Sequence, residues 1–70
     1  MKNSVLISLV IPAHNEEELL PRLLATVDVA RRSYRGGAEA IEVIVADNVS
    51  TDETTRIAGD HGCAVMTVEE

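Results

Sequence analysis

The sequence contains few of the residues with which proteins bind nucleic acids. Tryptophan and phenylalanine are absent, tyrosine occurs once, and six basic residues stand against twelve acidic ones, which gives a formal net charge of −6. Nucleic-acid binding needs basic groups that neutralise phosphates, and commonly aromatic rings that stack on bases. The composition therefore argues against a nucleic-acid partner.

Cysteine is almost as scarce, since Cys63 is the single one in 70 residues. A lone cysteine forms no intramolecular disulfide, which is typical of a reducing compartment and predicts a cytoplasmic protein. Because Cys63 lies in an apolar run, we interpret it as a small core residue. No set of cysteine and histidine residues has zinc-ligand spacing, so no metal site is expected in this chain.

Long apolar segments are also missing. No apolar run approaches the ~20 residues of a membrane-spanning helix. The segment VLISLVIPA after Lys2 loosely imitates a secretory leader, but Ser8 interrupts it and no cleavage site follows Pro12. We therefore predict a strand here and no membrane segment in this chain.

What the sequence does contain is an alternation of apolar and amphipathic segments. It predicts strands at about 4–11, 41–47 and 63–68, and helices at about 17–33 and 51–61. Both faces of the first strand are mostly apolar, as in parallel strands covered on two sides. The order β-α-β-α-β therefore predicts an α/β fold, a Rossmann-like half domain with a three-stranded parallel sheet.

Crossovers of one hand that step in one direction place both helices on the same face of such a sheet. The other face would then expose apolar side chains. Alternate residues of a strand point to opposite faces, so either of two sets could lie there. The set assigned to this face is Leu6, Val10, Ile44, Ala46 and Val65, and the alternative is the opposite set. Soluble monomers seldom expose so large an apolar patch. We therefore expect this face to be covered by the remainder of a longer chain or by a second copy in a homo-oligomer.

Two polar segments, PAHNEE and DNVSTD, follow the first and second strands. Ligands of open parallel sheets bind beyond the carboxyl ends of the strands. Asn15 and Asp47 are separated by one β-α-β unit, so neighbouring strands should bring the two segments together. No glycine lies between Met1 and Tyr34, which excludes the glycine-rich turns of dinucleotide sites and P-loops.

Many polar residues near these segments also suit structural roles in turns and at helix ends: Asn15, Glu17, Glu18, Ser50, Asp52 and His61. Ser50 and Glu53 have the spacing of a capping box. Asp47 ends a buried strand, and we interpret it as pointing toward the crevice. The alternative for Asp47 is hydrogen bonding to the NVST turn.

The motifs VIPAHNEEELLPRLL and IEVIVADNVSTDETTRIAGDHGC together resemble the amino-terminal part of family-2 glycosyltransferases, the GT-A enzymes that use nucleotide-sugars. The family pattern is an apolar strand, Pro-x-(Tyr/His/Leu)-Asn-Glu, a helix, and a second apolar strand into Asp-(Asp/Asn)-x-Ser-x-Asp. The resemblance covers about residues 4–68. It implies that residues 1–70 are the amino-terminal nucleotide-binding part of a GT-A domain.

The resemblance further implies a UDP- or GDP-sugar donor and a nucleotide site of six residues: Pro12, His14, Glu16, Val45, Asp47 and Asn48. His14 stands where tyrosine is commoner, and Asn48 stands where many members carry a second aspartate. The family holds Mg²⁺ or Mn²⁺ with a later Asp-x-Asp and uses a still later acidic base. Neither metal ligands nor catalytic residues are therefore expected here, and the isolated chain is expected to be inactive.

Two other functions remain open. One is a non-catalytic α/β module that oligomerises through its uncovered sheet face. The other is a receiver-like signalling domain with an acidic pocket. It is disfavoured because the sequence lacks an acidic pair after the first strand and two further β-α units.

Overall fold

The computed structural model describes residues 5–69, so Ser4, the predicted first strand residue, lies outside the described part. Three strands and two helices alternate along the chain, with one 3₁₀ turn: β1 (Ile7–Ala13), α1 (Leu20–Ser33), the turn Ala38–Ala40, β2 (Ile41–Asp47), α2 (Thr54–Asp60) and β3 (Ala64–Thr67). The predicted βαβαβ order is confirmed.

The strands form one parallel sheet in the order β1-β2-β3. Along β1 and β2 the pairing runs from Ile7 opposite Ile41 to Ala13 opposite Asp47. The predicted three-stranded parallel sheet is therefore confirmed, and the predicted bounds of β2 are correct. The prediction that β1 ends before Pro12 was wrong. Among the described strands β1 lies at an edge of the sheet, where a proline is tolerated because one side of the strand has no ladder partner.

α2 begins at Thr54, later than the predicted residue 51. α1 begins at Leu20, within the start between Glu17 and Leu20 that Pro21 predicts. Pro21 lies in the first turn of α1, where its missing N–H costs nothing. Before it, the carbonyl of Glu16 accepts from the N–H groups of Leu19 (3.1 Å) and Leu20 (2.8 Å), which forms a turn rather than regular helix. The capping box predicted for α2 is absent, because Glu53 bonds Arg56 at 2.6 Å instead of the backbone of residue 50.

One hydrophobic core lies between the sheet and both helices. It is formed by six buried residues of β1, α1, β2 and α2: Ala13, Leu20, Leu24, Val43, Val45 and Ala58. Since α1 and α2 contribute to the same cluster, both helices cover one face of the sheet, as predicted. Cys63 packs against this cluster, which confirms its interpretation as a core residue.

The opposite face has no covering element among residues 5–69. Leu6, Val10 and Met66 there are 68%, 52% and 48% exposed. The assignment of Val65 to this face was wrong: Val65 pairs with the buried Val45 and packs against the core. The strand residues of the uncovered face therefore include Met66 in place of Val65.

None of the helices found within residues 5–69 combines the length and the apolar character needed to cross a membrane.

Candidate functional site

The two polar segments meet at the carboxyl edge of the sheet, as their spacing predicts. Ala13 and Asp47 are the last paired residues of β1 and β2. The N–H of Asn48 then donates to the carbonyl of Ala13 at 2.8 Å, which continues the ladder by one step. His14 Nδ1 consequently lies 2.6 Å from the carbonyl oxygen of Asn48.

This contact fixes the proton of the His14 ring. A carbonyl oxygen only accepts hydrogen bonds, so Nδ1 must carry the hydrogen and donate it. In the neutral imidazole Nε2 is then a hydrogen-bond acceptor. The side-chain amide nitrogen of Asn15, which is a donor, lies 3.5 Å from Nε2 and agrees with this assignment. The site thus presents an imidazole of defined orientation and tautomer.

Three successive backbone N–H groups of the first segment donate to side chains of the second segment or of Thr54, the first residue of α2. The bonds join Asn15 to Ser50 Oγ, Glu16 to Thr54 Oγ1 and Glu17 to Asp52 Oδ2, at 2.9, 2.8 and 3.1 Å. In return, Asn15 Oδ1 accepts from the N–H of Thr51 at 2.8 Å. The two segments are therefore one hydrogen-bonded unit. Asn15, Ser50 and Asp52 have structural roles, but these bonds run across the two segments, whereas the prediction was for local turns and helix caps.

Glu17 plays a structural part other than the predicted one. It lies ahead of α1, whose first turn contains no acidic residue. Its Oε1 accepts from the N–H of Glu53 at 3.1 Å, immediately before α2. The interaction of its charge with the positive end of α1 stays a prediction, and the bond to Glu53 is a further structural role.

Asp47 is buried, with 3% of its surface exposed. Its carboxylate accepts from the Ser50 N–H at 3.2 Å, from the Ser50 hydroxyl and from Thr55 Oγ1 at 3.3 Å. The pKa of Asp47 is lowered, chiefly because the Ser50 hydroxyl donates to the carboxylate. Burial alone would raise this pKa, but its effect is smaller. The carboxylate thus bonds the turn and α2, the alternative that the sequence left open. Contact of this carboxylate with a ligand stays a prediction.

An open pocket of about 380 Å³ lies where the segments meet. Its lining comes from the ends of all three strands: Pro12, Ala13, His14, Glu16, Ala46, Asn48 and Val68. Four predicted site residues, Pro12, His14, Glu16 and Asn48, are thus brought together. Val45 is instead fully buried in the core, and Asp47 lies inside the turn. Small-molecule sites commonly combine apolar walls with a few polar groups in this way.

Sequence reasoning missed Ala46 and Val68 as pocket residues. Val68 reaches the pocket because its N–H donates to the carbonyl of Asp47 at 2.8 Å, just beyond β3. The signal for Val68 was present in the strand order, since β3 is parallel to β2 and ends at the same edge. Ala46 reaches the pocket because it pairs with Pro12, a register that the structure shows and the sequence does not specify.

A second pocket, of about 320 Å³, lies between α1 and the start of β3 and includes Arg31 and Cys63. Arg31 is occupied there by the carbonyl oxygens of Ala38 and Ile41, both at 2.9 Å. Burial raises the pKa of the Cys63 thiol, which keeps it protonated and unreactive. The polar groups of this pocket thus serve the fold, and the carboxyl edge is the better candidate for a ligand site.

The turn between β2 and α2 contains a strained residue. Val49 has φ 49°, a left-handed conformation that disfavours β-branched side chains. Val49→Gly is expected to raise the free energy of unfolding by about 1 kcal/mol by removing this strain. Urea unfolding measures this change in stability.

Val29→Gly is the control, because Val29 is also exposed but lies in α1. This substitution should lower the free energy of unfolding, since glycine is a poor helix former. An equal loss of stability in both variants would contradict strain at Val49.

Acid should destabilise the joined segments. Hydrogen bonds from Ser50 lower the pKa of Asp47. For Asp52, burial raises the pKa, but hydrogen bonds from Thr54 and Glu17 together outweigh burial, so the pKa of Asp52 is also lowered. Unfolded carboxyls titrate near pH ~4. As pH falls, the unfolded state therefore takes up protons before the folded state does. The stabilisation that the two ionised carboxylates give the folded state is complete above pH ~4 and is lost as pH falls through their lower folded pKa values.

Urea unfolding at a series of pH values from neutral to strongly acidic tests this dependence. Ser50→Ala removes the main cause of the Asp47 shift and should flatten the curve below pH ~4. A wild-type stability that stays constant through the acidic range would contradict the prediction.

Comparison with known proteins shows the family of the chain. A sequence model of the glycosyl transferase family 2 matches residues 8–69. The chain is 39% identical over 67 residues to an undecaprenyl-phosphate 4-deoxy-4-formamido-L-arabinose transferase of Pseudomonas paraeruginosa, covering 90% of this chain and 19% of that protein. It is 42% identical over 62 residues to a 4,4'-diaponeurosporenoate glycosyltransferase of Staphylococcus haemolyticus, covering 89% of this chain and 15% of that protein.

An uncharacterized glycosyltransferase of Mycobacterium tuberculosis is 37% identical over 60 residues, which are 86% of this chain and 23% of that protein. The chain thus spans less than a quarter of the length of these relatives. No solved structure shows a significant match to it. The family match nevertheless extends over most of the chain and includes both polar segments, so the chain belongs to glycosyl transferase family 2.

Proposed function

We propose that this chain is the nucleotide-sugar-binding part of a glycosyltransferase, with the donor nucleotide in the pocket around His14 and Asn48. Family membership supports the reaction class. The observation that carries the location is the pocket of about 380 Å³ at the carboxyl edge of the sheet. That edge is where open parallel sheets bind their ligands.

The pocket offers both surfaces that a nucleoside needs. Pro12, Ala46 and Val68 supply apolar area against which the flat base can lie. His14 Nε2 and the Asn48 side chain offer hydrogen-bond partners for the polar edge of the base, and the Glu16 carboxylate can accept from ribose hydroxyls. A UDP or GDP group fits this combination of an apolar wall and acceptor atoms.

The proposed reaction is displacement of the nucleoside diphosphate at the anomeric carbon by an acceptor hydroxyl. A divalent Mg²⁺ or Mn²⁺ would neutralise the leaving diphosphate as a Lewis acid. Within residues 5–69 no three His, Cys, Asp or Glu side chains are placed to hold a metal ion. We propose that this chain contributes donor binding without transfer. Its single cysteine supports a cytoplasmic setting for this role.

Calorimetric titration with UDP, GDP and their sugars, with and without Mn²⁺, tests the proposal. We expect dissociation constants of about 0.1–1 mM for the preferred nucleotide, since the pocket is open on one side. His14→Ala and Asn48→Ala should each weaken binding by about tenfold, the loss expected from one hydrogen bond. Thr26→Ala, on the exposed side of α1, is the control. No binding of any nucleotide at millimolar concentration would contradict donor binding.

The exposed sheet face supports a second candidate, a non-catalytic module that assembles through this face. This candidate is supported by the apolar side chains of Leu6, Val10 and Met66 on that face, which are 68%, 52% and 48% exposed. Light scattering distinguishes the candidates: an oligomer that forms with rising concentration, without nucleotide binding, favours the module. A stable monomer at tens of micromolar would overturn it.

A further inference from the structure

Asn15 is the residue through which the two polar segments are most directly joined. Its N–H donates to Ser50 Oγ at 2.9 Å, and its Oδ1 accepts from the N–H of Thr51 at 2.8 Å. The Thr51 hydroxyl lies 3.4 Å from the same Oδ1. Asn15 therefore bonds two successive residues that are 35 and 36 positions away in the sequence.

The point to which Asn15 attaches is itself fixed to the sheet. The Ser50 hydroxyl donates to the buried carboxylate of Asp47, so its oxygen is oriented to accept from Asn15. Asp47 is the last residue of β2 and is only 3% exposed. A continuous series of hydrogen bonds thus runs from the end of β2 through Ser50 to the turn after β1.

The pocket residues are close neighbours of this series. His14 precedes Asn15, and Asn48 lies two positions before Ser50. The bond between His14 Nδ1 and the Asn48 carbonyl, at 2.6 Å, joins the two segments at the pocket rim. The Asn15 amide nitrogen also lies 3.5 Å from His14 Nε2. The ladder bond from Asn48 to Ala13 brings these residues together, and the bonds of Asn15 to Ser50 and Thr51 hold the rest of the second turn against the first.

Asn15 also meets a backbone requirement. Its φ is 53°, a left-handed conformation that asparagine, aspartate and glycine adopt more readily than other residues. Aspartate keeps this tolerance and the acceptor oxygen. Glycine keeps the backbone conformation and the N–H but has no acceptor. These two substitutions separate the conformation of residue 15 from the bond that its side chain makes.

We infer that Asn15 is a positioning residue of the pocket: through its bonds to Ser50 and Thr51 it holds the second turn so that His14 and Asn48 stay aligned for the ligand. This inference rests on the proposed function for the identity of the ligand. The alignment of His14 itself is a property of the free protein and is measured separately.

The experiment compares wild type, Asn15→Gly and Asn15→Asp in the full chain, after circular dichroism has verified that each is folded. Imidazole ¹⁵N shifts report whether His14 Nδ1 keeps its proton, and titration with UDP and GDP reports affinity. Wild type should show one Nδ1–H tautomer. Asn15→Gly should show averaging of both tautomers and about tenfold weaker nucleotide binding. Asn15→Asp loses the amide donor near His14 Nε2 but keeps the acceptor for Thr51, so Nδ1 should stay the donor to the Asn48 carbonyl and affinity should return to within about threefold of wild type.

Two results would overturn the positioning role. One is an unchanged His14 tautomer in Asn15→Gly. The other is equal loss of the bond from His14 Nδ1 to the Asn48 carbonyl in both variants, since aspartate keeps the acceptor for Thr51. If wild type binds no nucleotide, the proposed function fails, and the imidazole shifts alone decide whether Asn15 positions His14.

Discussion

Replacing Asp47 with alanine is expected to lower the free energy of unfolding by about 3 kcal/mol, because it removes a buried acceptor that three donors share. Two of these donors belong to Ser50 and the third is the Thr55 hydroxyl, so the turn and α2 lose their attachment to β2 together. A domain of this size has only about 3–5 kcal/mol of stability. About 0–2 kcal/mol then remains, so urea unfolding at 25 °C should show a marginally stable variant whose transition begins at or near zero urea.

Asp28→Ala is the matched control for charge. Asp28 is an exposed aspartate of α1 that pairs with Arg32 at 3.2 Å. Such surface pairs contribute at most about 1 kcal/mol, so this variant should stay close to wild type. If Asp47→Ala were no less stable than Asp28→Ala, the bonds described for the turn would be wrong. Loss of nucleotide binding in Asp47→Ala would not by itself identify a ligand contact, because the variant disturbs the whole turn.

Thr54→Val is expected to cost about 2 kcal/mol although valine has nearly the same shape as threonine. The Thr54 side chain is fully buried. Its hydroxyl accepts from the Glu16 N–H at 2.8 Å and donates to Asp52 Oδ1 at 2.5 Å. Valine leaves the Glu16 N–H without this acceptor and removes a link between the start of α2 and the turn before α1.

Chemical unfolding of Thr54→Val beside Thr26→Val measures that cost. The Thr26 hydroxyl is exposed and bonds the carbonyl of Arg22 within α1 at 3.1 Å, so its removal should change stability by less than about 0.5 kcal/mol. Equal effects of the two substitutions would show that the bond across the segments contributes nothing beyond a local helix contact.

The strands and their parallel order were predictable because apolar residues occupy both faces of short segments, separated by amphipathic ones. The direction of Asp47 was also available from the sequence. Val43, Val45 and Asp47 have the same parity in β2, so all three point to the helix-covered face. Extending that alternation to the last strand residue would have favoured the turn over the crevice.

The face of β3 was less predictable. A change of one residue in pairing moves every side chain of a strand to the other face, and a four-residue strand offers few residues to decide the register. The pairing of Val65 with Val45 is fixed by the packed core. It does not follow from the local sequence around Cys63.

The start of α1 was limited by Pro21 to the range from Glu17 to Leu20, whereas nothing similar limited the start of α2. Residues 17–19 and 51–53 read locally as helix, yet polar groups among them bond across the two segments at sequence separations of 35 and 36. Such long-range bonds compete with helix formation and leave no periodic signal. The same bonds build the candidate site, so the least predictable part of the fold is also the part assigned to function.

A nucleotide titration followed by ¹H–¹⁵N NMR tests most directly whether the joined turns form a donor site. We predict that UDP or GDP shifts the amide signals of His14, Glu16, Ala46, Asn48 and Val68, which line the pocket. Signals near Arg31 and Cys63, at the second pocket, should stay in place. Shifts confined to that second pocket, or no shifts at millimolar nucleotide, would contradict the proposed site.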